Sequence, residues 1–373
     1  MMSFFIKQQI FIFFISMTVL PVSAQVDASV TSSLDSMFGH YFKVNEPGGA
    51  VLIARNNQVI YEKGFGIADV NTQEHITPKT LFNLGSISKT MVAYGILKLA
   101  AERKLSLNDE LLKYFPDVKN PAIAKQVKLY HLLTHTSGLP DSRKIEEERE
   151  FYLTAKDEEN FAPLKQTDHL EFVPGTRYKY SNPAFNGLAL IIERISGQKW
   201  QSYIANNIFE PAGMKSSTIT DGAHPVSGVS HGYAMNEKNE LEELDYGEEP
   251  TFAAAGNGGV WSSVEELWRY EQAIQKNLFL SPEWIKKSRM VYSFPGWKDA
   301  MPSRLGLSWF LTKENGLDII GHTGSQGGFI SDYLWLPHEK VFYVLLCNFP
   351  KSIKEIRAKL FEVLDRHNFL QLK

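Results

Sequence analysis

The amino-acid sequence predicts an α+β fold, an α/β sandwich in which both ends of the chain contribute strands to one antiparallel sheet. Strand patterns occur near the N-terminus and again near the C-terminus of the 373 residues, whereas residues from about 105 to 300 are mostly helical. Strands at both ends with helices between them favour one sheet flanked by helices. We therefore expect sheet parts at about 25–80 and 300–373, with a helical insert at about 81–299.

The N-terminal part is predicted to form a helix and then a hairpin. Hydrophobic residues recur there at helical spacing, at Val30, Leu34, Phe38 and Tyr41. Residues 50–55 and 59–63 have strand character and flank the polar residues 56–58, which is typical of a hairpin. A third short strand is expected at 66–70.

The inserted part is predicted to contain several helices. Residues 188–195 are mostly apolar and are followed by Gly197, a common helix stop. Ser263 and Glu266 match a capping box, which predicts a further helix at 267–274.

The C-terminal part returns to strand patterns before a last helix. Residues 305–311, 329–336 and 341–346 are strand-like, and 337–340 are typical of a turn between the last two. Apolar residues at helical spacing then predict an amphipathic helix, with its buried face at Ile353, Ile356, Leu360 and Val363.

The composition is that of an ordinary globular protein. Hydrophobic residues make up 43% of the chain and the net charge is -3, so a nucleic-acid partner is not expected. The single cysteine, Cys347, excludes an intrachain disulfide and lies in an apolar run, where we expect it to be a core residue.

Residues 1–24 have the pattern of a secretory signal peptide. Lys7 is followed by the apolar residues 10–20, then by Pro21 and small residues before Gln25. The apolar run is shorter than the roughly 20 residues of a comfortable membrane span. We expect cleavage and a periplasmic or secreted protein without a stable span, and a retained N-terminal anchor is the alternative.

The tetrapeptide 86–89, Ser-Ile-Ser-Lys, is the most informative motif. Ser86 and Lys89 lie one turn apart on a predicted helix that begins after Gly85 and is apolar nearly all round from 91 to 101. A serine hydroxyl is a poor nucleophile until a base takes its proton. Burial lowers the pKa of a lysine, so the amine of Lys89 can become that base.

A second motif is Tyr180-Ser181-Asn182, which we expect in a loop before Pro183. A phenol near a lysine can share its proton, because an ammonium group stabilises the phenolate. The amide of Asn182 can donate to a carbonyl and accept from an amine at the same time.

The third motif is His322-Thr323-Gly324, which follows strand-like residues and precedes Ser325. A glycine beside a strand lets the backbone of a ligand approach closely. The backbone N–H groups of Ser325 and Ser86 can then form an oxyanion hole, in which one donor is worth roughly 10²–10³ in rate.

In this order and spacing, the three motifs resemble those of the penicillin-recognising serine hydrolases. The branch that the chain most resembles contains class C β-lactamases, D-Ala-D-Ala carboxypeptidases, D-aminopeptidases and β-lactamase-like esterases. The resemblance runs over nearly the whole mature chain and extends to further segments, at 82–86, 132–140, 174–176, 258–259 and 262–263.

The resemblance implies a β-lactamase/penicillin-binding-protein-like fold and an acyl-enzyme mechanism that needs no metal or organic cofactor. Ser86 would be the acylated nucleophile, and Lys89 would accept its proton, alone or with Tyr180. Tyr180 would act as general base in acylation and as general acid toward the leaving group.

The resemblance also assigns the binding groups. Asn182 would hold the side-chain amide of the substrate. His322 and Thr323, with Gly324 beside them, would contact the leaving-group side or a carboxylate. The backbone N–H groups of Ser86 and Ser325 would bind the oxyanion.

One departure from the family pattern bears on the substrate. Class C β-lactamases usually have a lysine where this chain has His322, and a histidine is mostly neutral at pH 7. Carboxylate capture should therefore be weaker, so we expect a peptide with D-amino acids, such as a cell-wall peptide, or an ester as substrate. A class C-like β-lactamase is the first alternative, and a penicillin-binding sensor or binding module without turnover is the second.

Two other patterns suggest different chemistry and are disfavoured. Residues 228–232 match G-x-S-x-G around Ser230, but the residues after them predict a hairpin where a nucleophile elbow requires a helix. His131 and His135 have the spacing of zinc ligands on a helix, but no third ligand is evident, and packing roles are favoured.

Overall fold

The computed structural model describes residues 28–144, 147–148, 151, 155–219, 228–244, 255–300 and 303–372. The predicted signal peptide at 1–24 lies outside the described residues. Within these ranges, no helix is both long enough and apolar enough to cross a membrane.

The elements are numbered here in chain order. The helices are α1 (Ala28–Tyr41), α2 (Ser88–Ala101), α3 (Leu111–Tyr114), α4 (Pro121–Gln126), α5 (Leu129–Leu133), α6 (Asp157–Lys165), α7 (Asn182–Ser196), α8 (Trp200–Ile204), α9 (Glu210–Ala212), α10 (Val264–Gln275), α11 (Pro282–Ser288) and α12 (Ile353–Arg366). The strands are β1 (Gly49–Arg55), β2 (Gln58–Phe65), β3 (Ile67–Asp69), β4 (Glu74–His75), β5 (Phe82–Asn83), β6 (Thr218–Ile219), β7 (Tyr233–Met235), β8 (Leu241–Glu243), β9 (Val260–Ser262), β10 (Phe310–Glu314), β11 (Leu317–Gln326), β12 (Phe329–Leu336) and β13 (Val341–Cys347).

The main sheet has six antiparallel strands in the order β10-β11-β12-β13-β1-β2. The N-terminal hairpin joins the C-terminal strands through β1 and β13, where Gly49 pairs with Cys347 and Arg55 pairs with Val341. The predicted α+β fold, with one antiparallel sheet from both ends of the chain, is confirmed.

Both faces of the sheet are covered, as β13 shows. All seven of its residues are buried. Phe342, Val344 and Leu346 pack into the large core that the sheet shares with the inserted helices. Val341, Tyr343, Leu345 and Cys347 pack into a second core beneath α1 and α12. A strand buried on both faces reads as a continuous apolar run, which explains why Cys347 is a core residue.

Helix α2 forms the centre of the inserted part. Nearly all of its residues are buried, including Lys89 at its start. A β-carbon on Gly95 would approach the side-chain ends of Ile192 and Ile204 to within 3 Å, which shows how closely α7 and α8 pack on α2. This packing fixes α2, and with it the first turn that follows Ser86.

Most of the predicted elements are present, but two expectations are wrong in detail. The strand expected at 305–311 begins only at Phe310, because the preceding residues bond to the helical part. The backbone N–H of Leu307 donates to Ser288 O and that of Ser308 to Leu133 O. The capping box at α10 is half formed: Ser263 accepts from Glu266 N, but the Glu266 carboxylate accepts from the backbone of Ser216 and Ser217.

Candidate active site

Ser86 lies in a turn that is in close contact with strand β11. It belongs to the 3₁₀ turn Gly85–Ile87, which continues directly into α2. Gly85 has a φ of +52°, and a β-carbon there would lie 2.7 Å from the backbone nitrogen of Ser325. Both the backbone conformation and the approach of β11 therefore require a glycine before Ser86.

Lys89 is fully buried and directed at Ser86. Its Nζ lies 2.9 Å from Ser86 Oγ and 2.5 Å from the carbonyl oxygen of Asn257. Burial lowers the pKa of Lys89 well below its usual value, and the positive charge of Arg143 acts in the same direction. An uncharged amine can donate to Asn257 and direct its lone pair at the Ser86 hydroxyl.

Tyr180 completes the group around Ser86. Lys89 Nζ lies 5.2 Å from the centroid of the Tyr180 ring. Burial raises the pKa of the Tyr180 phenol, while the nearby Ser86 hydroxyl lowers it by a smaller amount. The phenol is therefore protonated near pH 7 and has a proton to give.

Asn182 lies next to this group at the start of a helix. Tyr180 is in a loop, as expected, but Asn182 is already the first residue of α7, which Ser181 caps by accepting from Ala184 N. The half-buried Asn182 amide is thus held at a fixed helix end, two residues after the phenol.

The third motif lies within β11. His322 is buried, and its Nδ1 donates to Thr323 O at 2.7 Å, which leaves the lone pair on Nε2 in the neutral ring. Burial lowers the pKa of His322 to about 3, and the nearby Lys89 amine adds to the shift. Thr323 is exposed. His322 therefore carries no charge near pH 7.

Strand β11 comes into close backbone contact with the serine turn at Gly324. A β-carbon on Gly324 would lie 2.0 Å from Leu84 O and 3.0 Å from Ser86 N, so only a glycine allows this contact. Ser331 Oγ, on the neighbouring strand β12, donates to Leu84 O at 2.8 Å and reinforces it. This contact brings the backbone at Ser325 against the turn that contains Ser86, the two residues whose N–H groups the sequence predicts as an oxyanion hole.

Residues 255–259 form a wall of the site that the sequence motifs did not reveal. Asn257 offers its backbone oxygen to Lys89, and its side-chain oxygen accepts from Asn186 Nδ2 at 3.0 Å. Asp157 accepts from the same Asn186 nitrogen and from Gly256 N, both at 2.8 Å. Burial raises the pKa of Asp157 to about 7. A polar residue between glycines at 256–258 was the available signal.

Neither of the two disfavoured chemistries, a nucleophile at Ser230 or zinc binding by His131 and His135, is supported by the structure. Ser230 is buried, its hydroxyl donates to Ala68 O at 3.3 Å, and the hairpin β7–β8 follows it, as expected. His131 and His135 each accept a backbone N–H, from Lys128 and Ser181 respectively. Across the described ranges, no three His, Cys, Asp or Glu side chains are grouped to hold a metal ion.

The fold and the family comparison define the class of protein. The family model called Beta-lactamase matches residues 34–366, so the chain belongs to this family of serine hydrolases. The resemblance in the three sequence motifs is confirmed at the level of the family.

Two curated relatives are similar over most of this chain. Penicillin-binding protein 4* of Bacillus subtilis (strain 168) is 26% identical over 336 residues, which cover 84% of this chain and 70% of the relative. Protein flp of Staphylococcus aureus (strain MW2) is 26% identical over 351 residues, which cover 90% and 66%. The chain thus spans about two thirds of the length of these relatives.

Solved structures share the fold. The octameric penicillin-binding protein homologue from Pyrococcus abyssi has a TM-score of 0.78 and is 26% identical in sequence; the match covers 91% of this chain and 78% of the homologue's chain. A D-amino acid amidase from Ochrobactrum anthropi SV3 has a TM-score of 0.75 and 18% identity, covering 92% and 99%. At 18% identity, the similarity to the amidase shows a shared fold and nothing more.

Proposed function

We propose that the protein is an exported serine hydrolase that forms an acyl-enzyme at Ser86 and acts on D-amino-acid peptides or esters. The observation that supports this most is the 2.9 Å contact between Ser86 Oγ and the buried Lys89 Nζ, with the Tyr180 phenol beside it. Export rests on the sequence of residues 1–24 alone.

In acylation, Ser86 Oγ bonds to the carbonyl carbon of the substrate while its proton passes to Lys89 Nζ. The carbonyl oxygen becomes an oxyanion, which the N–H groups of Ser86 and Ser325 stabilise. The bond to the amine or alcohol then breaks as the leaving group takes a proton from Tyr180, and Lys89 returns its proton to Tyr180. Water next attacks the ester, which releases a carboxylic acid and restores the Ser86 hydroxyl.

The remaining motif residues bind the substrate in this proposal. Asn182 hydrogen-bonds the amide of the acyl side chain from the start of α7. His322, Thr323 and Gly324 line the leaving-group side, along the edge of β11.

The neutral state of His322 supports a substrate without a carboxylate on its leaving-group side. Its imidazole is buried, has a pKa of about 3 and carries no charge at pH 7. A carboxylate placed there would lose its hydration without gaining an ion pair, which is costly. Amides and esters avoid this cost, so a class C-like β-lactamase is the weaker candidate.

The test is covalent labelling followed by turnover. A fluorophosphonate probe should add to the wild type and to Ser230→Ala but not to Ser86→Ala, as read by intact mass. The reverse result for the two serine variants would overturn the assignment of the nucleophile.

A substrate panel then separates the activities. It comprises a D-amino-acid anilide, a short-chain nitrophenyl ester, a D-Ala-D-Ala peptide and a chromogenic cephalosporin, each with wild type and Ser86→Ala. We expect turnover of the anilide or the ester to exceed that of the cephalosporin. A lasting adduct without turnover would instead identify a sensor.

A further inference from the structure

His135 is in contact with the Tyr180 loop on both sides of the phenol. Its backbone oxygen accepts from the N–H of Lys179 at 2.9 Å, and its Nδ1 accepts from the N–H of Ser181 at 3.1 Å. Its ring stacks on the Tyr180 ring, with a centroid distance of 4.2 Å and an interplanar angle of 25°. His135 therefore contacts three consecutive residues: it bonds to the backbone of Lys179 and Ser181 and stacks on the ring of Tyr180.

The backbone conformation of His135 allows these contacts with the Tyr180 loop. Its φ is +55°, in the left-handed region that residues other than glycine seldom adopt. The residue follows α5 directly after Thr134, and this conformation turns both its carbonyl and its ring toward the Tyr180 loop. Such a conformation has an energetic cost that the surrounding contacts must offset.

The imidazole of His135 also carries a buried N–H group without a partner in the described part of the chain, which is unfavourable for a side chain that only fills space. Because Nδ1 accepts from a backbone N–H, the proton of the neutral ring is on Nε2. That nitrogen is buried and has no hydrogen-bond partner among the described residues. An unpaired buried donor typically costs about 1–3 kcal/mol, so an apolar side chain would be cheaper if filling space were the only role. The acceptor on Nδ1 is what the imidazole provides.

We propose that His135 is a positioning residue that fixes the Tyr180 phenol against Ser86 and Lys89. The inference rests on the proposed function, since it assigns the residue that supports the proton donor of that mechanism. His135 acts through Tyr180 and does not itself touch the reacting atoms. A misplacement of about 1 Å in such a group can cost about 10²-fold in rate.

Two substitutions isolate the acceptor. In His135→Asn, the side-chain oxygen replaces Nδ1, and asparagine tolerates a positive φ. In His135→Gln, the acceptor moves to the position of Nε2, out of reach of Ser181 N. We expect His135→Gln to lower kcat on the anilide at least tenfold with little change in KM, and His135→Asn to retain most of the rate.

His131→Asn is the matched control. His131 is also buried, and its Nδ1 also accepts a backbone N–H, from Lys128 at 3.0 Å, but its ring contacts Tyr130 rather than Tyr180. This variant should keep the wild-type kcat. Equal losses in His135→Asn and His135→Gln, or a loss in His131→Asn, would contradict the proposal.

A double-mutant cycle tests whether His135 acts through Tyr180. In a Tyr180→Phe background, His135→Gln should cause little further loss, because the group that it positions is gone. Fully additive losses would overturn the inference. An unchanged rate in Tyr180→Phe itself would instead count against the proposed mechanism, so the two failures are distinguishable.

Discussion

Burial keeps the nitrogen groups around Ser86 uncharged. The pKa of the Lys89 amine is lowered, which suits the role of base proposed for it, and the pKa of His322 is lowered to about 3, which keeps its ring neutral near pH 7. In the proposed mechanism, the same desolvation therefore has two effects: it prepares Lys89 to accept the proton of Ser86, and it leaves residue 322 without a charge to bind a carboxylate. These effects can be separated by changing only residue 322.

His322→Lys should shift the preference toward substrates with a carboxylate. A lysine there would supply a cation when it pairs with the carboxylate of a substrate, and a hydrogen bond to a charged group contributes about 1.5–3 kcal/mol. The ratio of kcat/KM for the D-Ala-D-Ala peptide to that for the anilide should rise at least tenfold. His322→Gln is the neutral control and should leave this ratio near that of the wild type. An unchanged ratio in His322→Lys would show that residue 322 does not face the leaving group.

Among the elements, β11 and the Ser86 turn form the contact on which the site depends. Gly85 and Gly324 lie where the two backbones come closest, and neither position has room for a β-carbon. The donors proposed for the oxyanion hole, Ser86 N–H and Ser325 N–H, come from the two sides of this contact, so its spacing would set their geometry. A small increase in the spacing should therefore affect reactivity more than stability.

Gly324→Ala should slow fluorophosphonate labelling of Ser86 by about 10²-fold, since the added methyl would force β11 away from the turn. Gly321→Ala is a matched control on the same strand. Its β-carbon would lie 2.7 Å from Tyr333 O and so also strains β11, but away from Ser86. Both variants should have a lower Tm, and only Gly324→Ala should lose labelling. Equal labelling rates would contradict this role of the contact.

The sequence was informative wherever a pattern is local. Helical periodicity predicted α1 and α12, and the i, i+3 spacing alone brought Ser86 and Lys89 together. The sequence did not predict contacts between residues that are far apart along the chain. The acceptor for Lys89 is the backbone oxygen of Asn257, and the glycines around that residue do not identify Lys89 as its partner. The start of the strand expected at 305–311 is displaced to Phe310 by backbone bonds to α5 and α11. The Tyr180 loop was predicted, but its support by His135 depends on a stacking that sequence spacing does not encode.

At the scale of the whole molecule, several buried histidines link stability to pH. His131, His135 and His322 are all buried, and burial is the main cause that lowers the pKa of each. The unfolded chain binds protons on these rings near pH 6.5, but the folded chain does not. Protons therefore favour unfolding, and the stability contributed above pH 6.5 is lost as the pH falls.

His131→Asn measures one part of this linkage outside the site. The pKa of His131 is lowered to about 4, so the wild type should lose stability relative to the variant between pH 6.5 and pH 4. The relative loss should approach about 3 kcal/mol at its full extent. Urea unfolding at several pH values would measure it. Parallel stability curves for the two proteins would mean that the pKa of His131 is the same in the folded and the unfolded chain.

The pairing of β1 with β13 has a consequence for the order in which the chain acquires activity. A ribosome makes the Ser86 turn early, but β11 only near the end, and β11 is held in the sheet by strands that flank it on both sides. A nascent chain that ends before β11 therefore has Ser86 but lacks Ser325, whose N–H group is one of the two donors proposed for the oxyanion hole. We expect Ser86 to react with substrates only after the C-terminal strands have been made, so that an unfinished polypeptide does not form an acyl-enzyme.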